Sequence, residues 1–347
     1  MKENRYTILG IMSGTSLDGV DIALCSFSYG EQWKYEIVDS VTVPYSFEMK
    51  KELSLAHNLD TESLFHLDAR LGNYFGVLAK TFLNGRSVDF ISSHGHTVFH
   101  NPAMGFSVQI GKGAHLAETS GFDVVCDFRS NDVAMGGQGA PLVPVGDELL
   151  FSEYSYCLNL GGIANISFNN NGKRTAFDCC FCNMAINHLT SYLGLEMDLD
   201  GNIAQKGEVD PELLQRLNAA NEKYLLRKQS LGKEIFSLDF EPFLQNQQIE
   251  NKLRTVVEYI AFQVSNHIKE GSCLVTGGGT YNRYLMELIS QKSSGEIIIP
   301  DKNIVEFKEA LIFAFLGLLR WQNLPNSMSN VTGAKKNAIG GAIYKAS

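Results

Sequence analysis

Four stretches rich in glycine, each set at the end of an apolar run, limit what this chain can fold into more than any other feature. They are SGTSLDG at 13–19, DFRSNDVAMGGQG at 127–139, NLGGIAN at 159–165 and VTGGGTYN at 275–282. A strand that ends in glycine can bring its backbone N–H groups close to a ligand, because no Cβ intervenes. Chains that alternate such turns with strands and amphipathic helices build layered α/β folds.

The surrounding pattern is mixed α/β, in two like halves. Tyr6–Met12, Val20–Phe27 and Lys34–Val43 read as strands, the first two joined by SGTSLDG. Residues 61–83 carry Leu64, Leu67, Leu71, Phe75, Leu78 and Phe82 at helical spacing. Short strands are expected at 88–92, 106–110 and 123–126. The second half opens the same way, with strands at 155–160, 163–168 and 173–177 around Gly161 and Gly162. Helices are expected at 183–193, 212–225, 249–269 and 307–321, with a buried strand at 273–276 before Gly277, Gly278 and Gly279. The expectation is two α/β halves flanking a cleft, with the glycine turns face to face and no proline- or serine-rich linker between them.

Composition excludes whole classes of function. Of 347 residues, 44% are hydrophobic and 19% charged, which suits a packed core and excludes a disordered chain. The formal net charge of −9, with no block of lysine or arginine, argues against nucleic acid and anionic membranes as partners. The start of the chain lacks an apolar stretch of signal-peptide length, and the apolar run at 310–319 is too short to span a bilayer. Seven irregularly spaced cysteines do not form a secreted disulfide framework. A cytoplasmic location is the expectation.

Several residues have chemistry of their own. In the first turn Thr15 and Ser16 offer hydroxyl donors to a phosphate, and Asp18 offers oxygen to Mg²⁺, directly or through water; the same turn also reads as an ordinary polar hairpin. Arg129 suits a carboxylate or phosphate, or a structural ion pair. Asp178 and the histidines His94, His96 and His100 are candidate acid–base groups, with His94 and His96 expected on one strand face. Cys179, Cys180 and Cys182 have poor spacing for zinc and read as small buried hydrophobes. Neither a P-loop nor a dinucleotide-binding glycine motif occurs.

Taken in order, six segments resemble the anhydro-N-acetylmuramic acid kinase family over nearly the whole chain. They are ILGIMSGTSLDGVDIAL, SSHGHTVFH, DFRSNDVAMGGQGAPLVP, NLGGIANIS, VTGGGTYN and VTGAKKNAIGGAIY. The resemblance implies the sugar kinase, heat-shock protein 70 and actin superfamily: two RNase-H-like (actin/hexokinase-type) domains flanking an ATP cleft. The domains would be 1–135 with about 330–347, and 136–329. It also implies ATP and Mg²⁺ as cofactors, an anhydro amino sugar as small-molecule partner, and a homodimer. The reaction implied is hydrolytic opening of the 1,6-anhydro ring with phosphorylation of O6, giving N-acetylmuramic acid 6-phosphate in peptidoglycan recycling.

By the same resemblance Gly14, Thr15, Ser16, Leu17, Asp18, Gly19, Val20 and Asp21 would wrap the ATP phosphates. Gly161 and Gly162 would form a second phosphate strand, and Gly277, Gly278 and Gly279 would approach the nucleotide. Asp178 would be the catalytic base. Ser13, His94, Thr97, Arg129, Asn183 and Glu309 would contact the sugar.

Two segments depart from the family. Where it has Asp-Thr-Gly-Pro-Gly-Asn, this chain has Asp178-Cys179-Cys180-Phe181-Cys182-Asn183, and His96 stands where glutamine is usual. If the lost glycines take positive φ or leave room for substrate, the new side chains would strain or fill the site. Two readings stay open on this ground: an active kinase for this or a related anhydro-sugar, or a nucleotide-binding relative with reduced or lost activity.

Overall fold

The computed structural model describes residues 5–14, 17–227, 230–245 and 248–347, and the chain divides into two compact units. The first comprises 5–152 and 307–347, the second Glu153–Glu306.

In the first unit the strands are β1 (Arg5–Ser13), β2 (Gly19–Tyr29), β3 (Trp33–Pro44), β4 (Phe90–Asn101), β5 (Phe106–Ile110) and β6 (Val124–Cys126). The sheet runs β3-β2-β1-β4-β6 and ends on the C-terminal strand Ala342–Tyr344, with β5 paired to β4. β1, β2 and β3 form an antiparallel meander, and β4 and β6 continue it in parallel. The helix Thr61–Leu83 forms where the spacing requires. Asp60 caps it by accepting from the Ser63 N–H at 2.9 Å, and Asn84 ends it in the left-handed conformation. Its Leu67, Leu71 and Phe75 join Leu9, Ile11, Val20 and Ile22 in one core on one face of the sheet. The other face packs on the helix Lys302–Trp321 from residue 307 onward: Phe315 lies 5.5 Å from Phe27, and Trp321 stacks on Phe90 at 4.7 Å.

The second unit repeats the order with β7 (Tyr156–Leu160), β8 (Ile163–Asn170), β9 (Lys173–Phe181), β10 (Ser272–Thr276) and β11 (Glu296–Ile298), arranged β9-β8-β7-β10-β11. Again three strands form an antiparallel meander and two continue in parallel. This is the RNase-H-like arrangement, present twice. The helix Ile249–Ser265 buries Leu253, Val256, Val257, Ile260 and Val264 against this sheet.

The unit boundaries fall at 152/153 and 306/307, not at 135/136 and about 329/330. The helix Pro144–Leu150 stays with the first unit because Asp147 pairs with Lys308 at 2.7 Å, both buried, while Phe151 packs on Tyr35 at 5.1 Å. The apolar helix returns to the first unit for the same reason: its aromatic side chains have their partners there. Strand β9 also runs four residues further than the periodicity indicated, so that Asp178 lies within a strand. Among the described residues no helix is long and apolar enough to cross a membrane.

Candidate active site

In the first unit the β1–β2 turn leaves the sheet at Ser13. Leu17 donates its N–H to the Gly14 carbonyl at 3.3 Å and takes φ +62°, and Asp18 after it is exposed. Thr15 and Ser16 lie outside the described residues. Gly19 and Val20 open β2, and Asp21 accepts from the Thr42 hydroxyl at 2.6 Å.

Ser13 pairs in register with His96 across the parallel β1–β4 ladder. Its hydroxyl meets His96 Nδ1 at 3.1 Å and the Tyr45 hydroxyl at 2.7 Å, all three residues buried. Burial pushes the His96 imidazole down to about 4, so it is neutral at pH 7.

His94 goes elsewhere, contrary to the expectation that the two histidines share a face. Gly95 between them has φ +76°, and the ladder skips a residue there, so the alternation of a regular strand is broken. His94 Nε2 accepts from Arg129 Nη2 at 2.8 Å and Nε at 3.2 Å, which assigns the proton to Nδ1, where it is donated to the Gly95 carbonyl at 2.9 Å. Burial and the guanidinium hold this imidazole well below its ordinary range. Arg129 also donates to the Gly139 carbonyl at 2.7 Å, and burial lowers it to about 10 while Glu309 opposes that shift. The Glu309 carboxyl is raised, first by burial and then by the charge of Asp21, against Lys308 and Arg129. Ser13, His94, Arg129, Asp21 and Glu309 are thus tied into one polar region of the first unit. Thr97 accepts from Gln109 Nε2 at 3.3 Å on β4.

In the second unit the glycine turns converge on Asn183. Its N–H donates to the Gly161 carbonyl at 3.1 Å, its Nδ2 to the Leu160 carbonyl at 3.0 Å, and the Cys182 and Met184 N–H groups both reach the Gly162 carbonyl. Gly277, Gly278 and Gly279 pack beside these residues and differ sharply from one another. A Cβ on Gly277 would lie 2.5 Å from Asn159 Oδ1 and 2.9 Å from the Leu160 backbone, and its φ is +88°. Gly279 is closed off by Leu160. Gly278 meets nothing nearer than Asn183 Nδ2 at 3.8 Å, and Gly162 is as open, with Met184 first at 3.8 Å. Gly277 and Gly279 therefore serve packing, while Gly162 and Gly278 present open backbone.

Asp178 sits on β9 immediately before a bulge. Asn165 opposes Asp178 and Ala164 opposes Cys180, which leaves Cys179 as the extra residue. The Cys179 carbonyl, displaced from the ladder, accepts from Asn221 Nδ2 at 2.8 Å. The Asp178 carboxyl is raised by burial and lowered by the Leu231 N–H, which donates to Oδ2 at 2.9 Å.

The replaced residues 179–182 are absorbed by the core. None of them has positive φ, and Cys179, Cys180, Phe181 and Cys182 are each fully buried. Burial pushes the first two thiols well up and Cys182 to about 12, so all stay protonated. Here β9 continues where the family pattern has glycines, and strain does not arise.

Sequence reasoning missed three groups. Tyr45 carried no motif, and Leu231 acts through its backbone, which no residue type signals. Asp132 lay inside a recognised block. It is fully buried, and its carboxylate accepts from Ser327 at 2.9 Å, Thr332 at 2.8 Å and the Gly139 N–H at 2.8 Å, holding the loop whose Gly139 carbonyl receives Arg129.

Comparison with known proteins adds the following. A family model described as anhydro-N-acetylmuramic acid kinase matches residues 6–346. A protein named anhydro-N-acetylmuramic acid kinase from Sulfurimonas denitrificans is 33% identical over 370 aligned positions, covering 97% of this chain and 99% of its own. One of the same name from Shewanella pealeana is 33% identical over 377 positions, covering both chains completely.

Proposed function

Since the chain belongs to the anhydro-N-acetylmuramic acid kinase family, we propose that it opens 1,6-anhydro-N-acetylmuramic acid with water and transfers the γ-phosphoryl group of ATP to O6. The observation that carries this reading is Asp178. It is a half-buried, hydrogen-bonded carboxylate on β9, which ends at Phe181 two residues before Asn183, where the two glycine turns of the second unit meet.

Asp178 takes a proton from water as the water oxygen bonds to the anomeric carbon. The C1–O6 bond breaks, and O6 leaves with the electron pair. O6 then bonds to the γ-phosphorus in line as the bond to the β–γ bridging oxygen breaks, and ADP departs. Asp178 returns its proton to solvent. Burial helps here, because a carboxylate raised above its ordinary range is a stronger base than a solvated one.

In the second unit the open backbone at Gly162 and Gly278, with Gly161 beside them, would approach the phosphates, and Asn183 would hold those turns together. In the first unit the β1–β2 turn, Gly14–Asp21, would contribute further phosphate contacts. Arg129, fixed by His94, would meet the lactyl carboxylate of the sugar; Ser13, Thr97 and Glu309 would line the same region. Asp18, Asp21 and Glu309 are hard oxygen donors that fit Mg²⁺, and the mutual repulsion of Asp21 and Glu309 is what a cation relieves. Mg²⁺ carried by ATP would spread the charge that develops on the phosphoryl oxygens.

The test is ADP release from Mg-ATP with and without the anhydro-sugar, with mass detection of the product. The reading expects sugar-dependent ADP and a product heavier than the substrate by one phosphoryl group (HPO3) and one water. ATP binding without sugar-stimulated release would overturn it in favour of a changed substrate or a non-catalytic relative.

A further inference from the structure

The side chain that departs furthest from the family pattern, Phe181, is built into a closed circuit with Asp178. It lies three residues further along β9 and is fully buried. Its ring meets Phe236 at 5.2 Å and Phe240 at 4.7 Å, both edge-on, the geometry that aromatic pairs favour. Phe236 and Phe240 bracket a π-helical turn, a local form that is frequent at functional sites. The Phe236 N–H donates to the Gly232 carbonyl at 3.0 Å, which fixes the chain just after Leu231. Leu231, itself buried, donates its N–H to Asp178 Oδ2. Asp239 adds a second anchor, accepting from Lys223 at 2.7 Å and from the Tyr224 hydroxyl.

We propose that Phe181 is a positioning residue for Asp178: its ring clamps the segment 231–240 against β9, and that segment returns a backbone N–H to the carboxylate and excludes water from it. The role of the carboxylate rests on the function proposed above, but the circuit does not. Proline, the residue the family has at this position, offers no aromatic ring to the two phenylalanines.

The titratable groups facing Asp178 are the Cys179 and Cys180 thiols of its own strand, which stay protonated. From the segment packed on it comes the Leu231 N–H, and among the described residues no cation shifts its carboxyl. Two effects act on the Asp178 carboxyl: burial disfavours the charged form, and the Leu231 N–H favours it. Burial is the larger effect, and on this proposal the segment supplies part of it. Releasing the segment therefore brings the carboxyl down toward its ordinary range and makes it a weaker base.

The test uses the full chain with Phe181→Leu and Phe236→Leu, which break the same contact from either side, and Ile289→Val as a core truncation outside the circuit. The Asp178 carboxyl is titrated by ¹³C NMR, assigned through its absence in Asp178→Asn, and kcat/KM is profiled against pH. Both circuit variants should lower the Asp178 titration by about one pH unit, the loss of cover outweighing the loss of the Leu231 hydrogen bond. The acid limb of the profile should move with it, kcat should fall about tenfold, and KM for the sugar should stay within about threefold. Ile289→Val should leave the titration in place. An unmoved Asp178 titration in both folded circuit variants would overturn the proposal. If the wild-type chain turns over no sugar, the function proposed above fails, and the NMR titration still decides whether the circuit exists.

Discussion

Arg129 places two donors on His94 Nε2, at 2.8 and 3.2 Å, and thereby fixes both the tautomer of the imidazole and the plane of the guanidinium. Arg129 cannot be replaced by lysine without loss, because an ammonium cannot serve His94 and the Gly139 carbonyl in one plane while keeping a face for an anion. Arg129→Lys should raise KM for the anhydro-sugar at least about tenfold, equivalent to one charged hydrogen bond, with kcat changed less than about threefold. Steady-state kinetics with the sugar varied at saturating ATP would check this. An unchanged KM would remove Arg129 from the sugar site.

His96 makes a prediction about pH. Its imidazole is held near 4 in the folded chain against an ordinary 6.5. The unfolded chain therefore binds the proton first, and the contribution of this group to stability is present above about pH 6.5 and lost as pH falls toward 4. His96→Gln removes that dependence while leaving a hydrogen-bonding side chain opposite Ser13. Between pH 7 and 4.5 the wild type should lose about 2 kcal/mol more than the variant in denaturant unfolding. His94, His100 and His267 shift the same way, and Asp178 and Glu309 the opposite way, but these groups are common to both proteins. Equal losses in the two proteins would contradict the burial of a neutral His96.

The two glycines Gly277 and Gly278 should separate folding from binding. Gly277→Ala sets a methyl group against Asn159 and the Leu160 backbone at φ +88°, and should cost about 1–3 kcal/mol of stability. Gly278→Ala has room and should fold normally. If its backbone lies against a phosphate, the added methyl should weaken ATP binding about tenfold or more. Thermal unfolding and nucleotide titration on both variants would check this; normal ATP affinity in Gly278→Ala would take that glycine out of the nucleotide site.

Much of this was legible in the sequence, for identifiable reasons. Residues 61–83 form the expected helix because period, N-cap and C-cap all agree. The two meanders were visible because each pair of strands is joined by a short glycine turn. What was not legible depends on contacts distant in sequence. The end of β9 at Phe181 is set by pairing with Ile163, whereas local composition there read as a break after Phe177. The divergence of His94 and His96 follows from one glycine with positive φ. The tie between Asp178 and Leu231 runs through a backbone donor 53 residues away.

Asp132 should matter to folding well away from the reacting atoms. Its carboxylate accepts three hydrogen bonds from Ser327, Thr332 and Gly139 while fully buried. Asp132→Asn turns one acceptor into a donor that faces donors, and should cost about 2–4 kcal/mol. Denaturant unfolding of the first unit would measure it, and a loss below about 0.5 kcal/mol would contradict the network.

The central claim is that Asp178 is the base, and Asp178→Asn tests it most directly. Asparagine keeps an oxygen for the Leu231 N–H but cannot take a proton. Wild type and variant would be compared by sugar-dependent ADP release, with ATP affinity measured separately. The account predicts a fall in kcat of about 10²–10⁴-fold with ATP affinity essentially unchanged. Near-full turnover in a folded Asp178→Asn variant would contradict it.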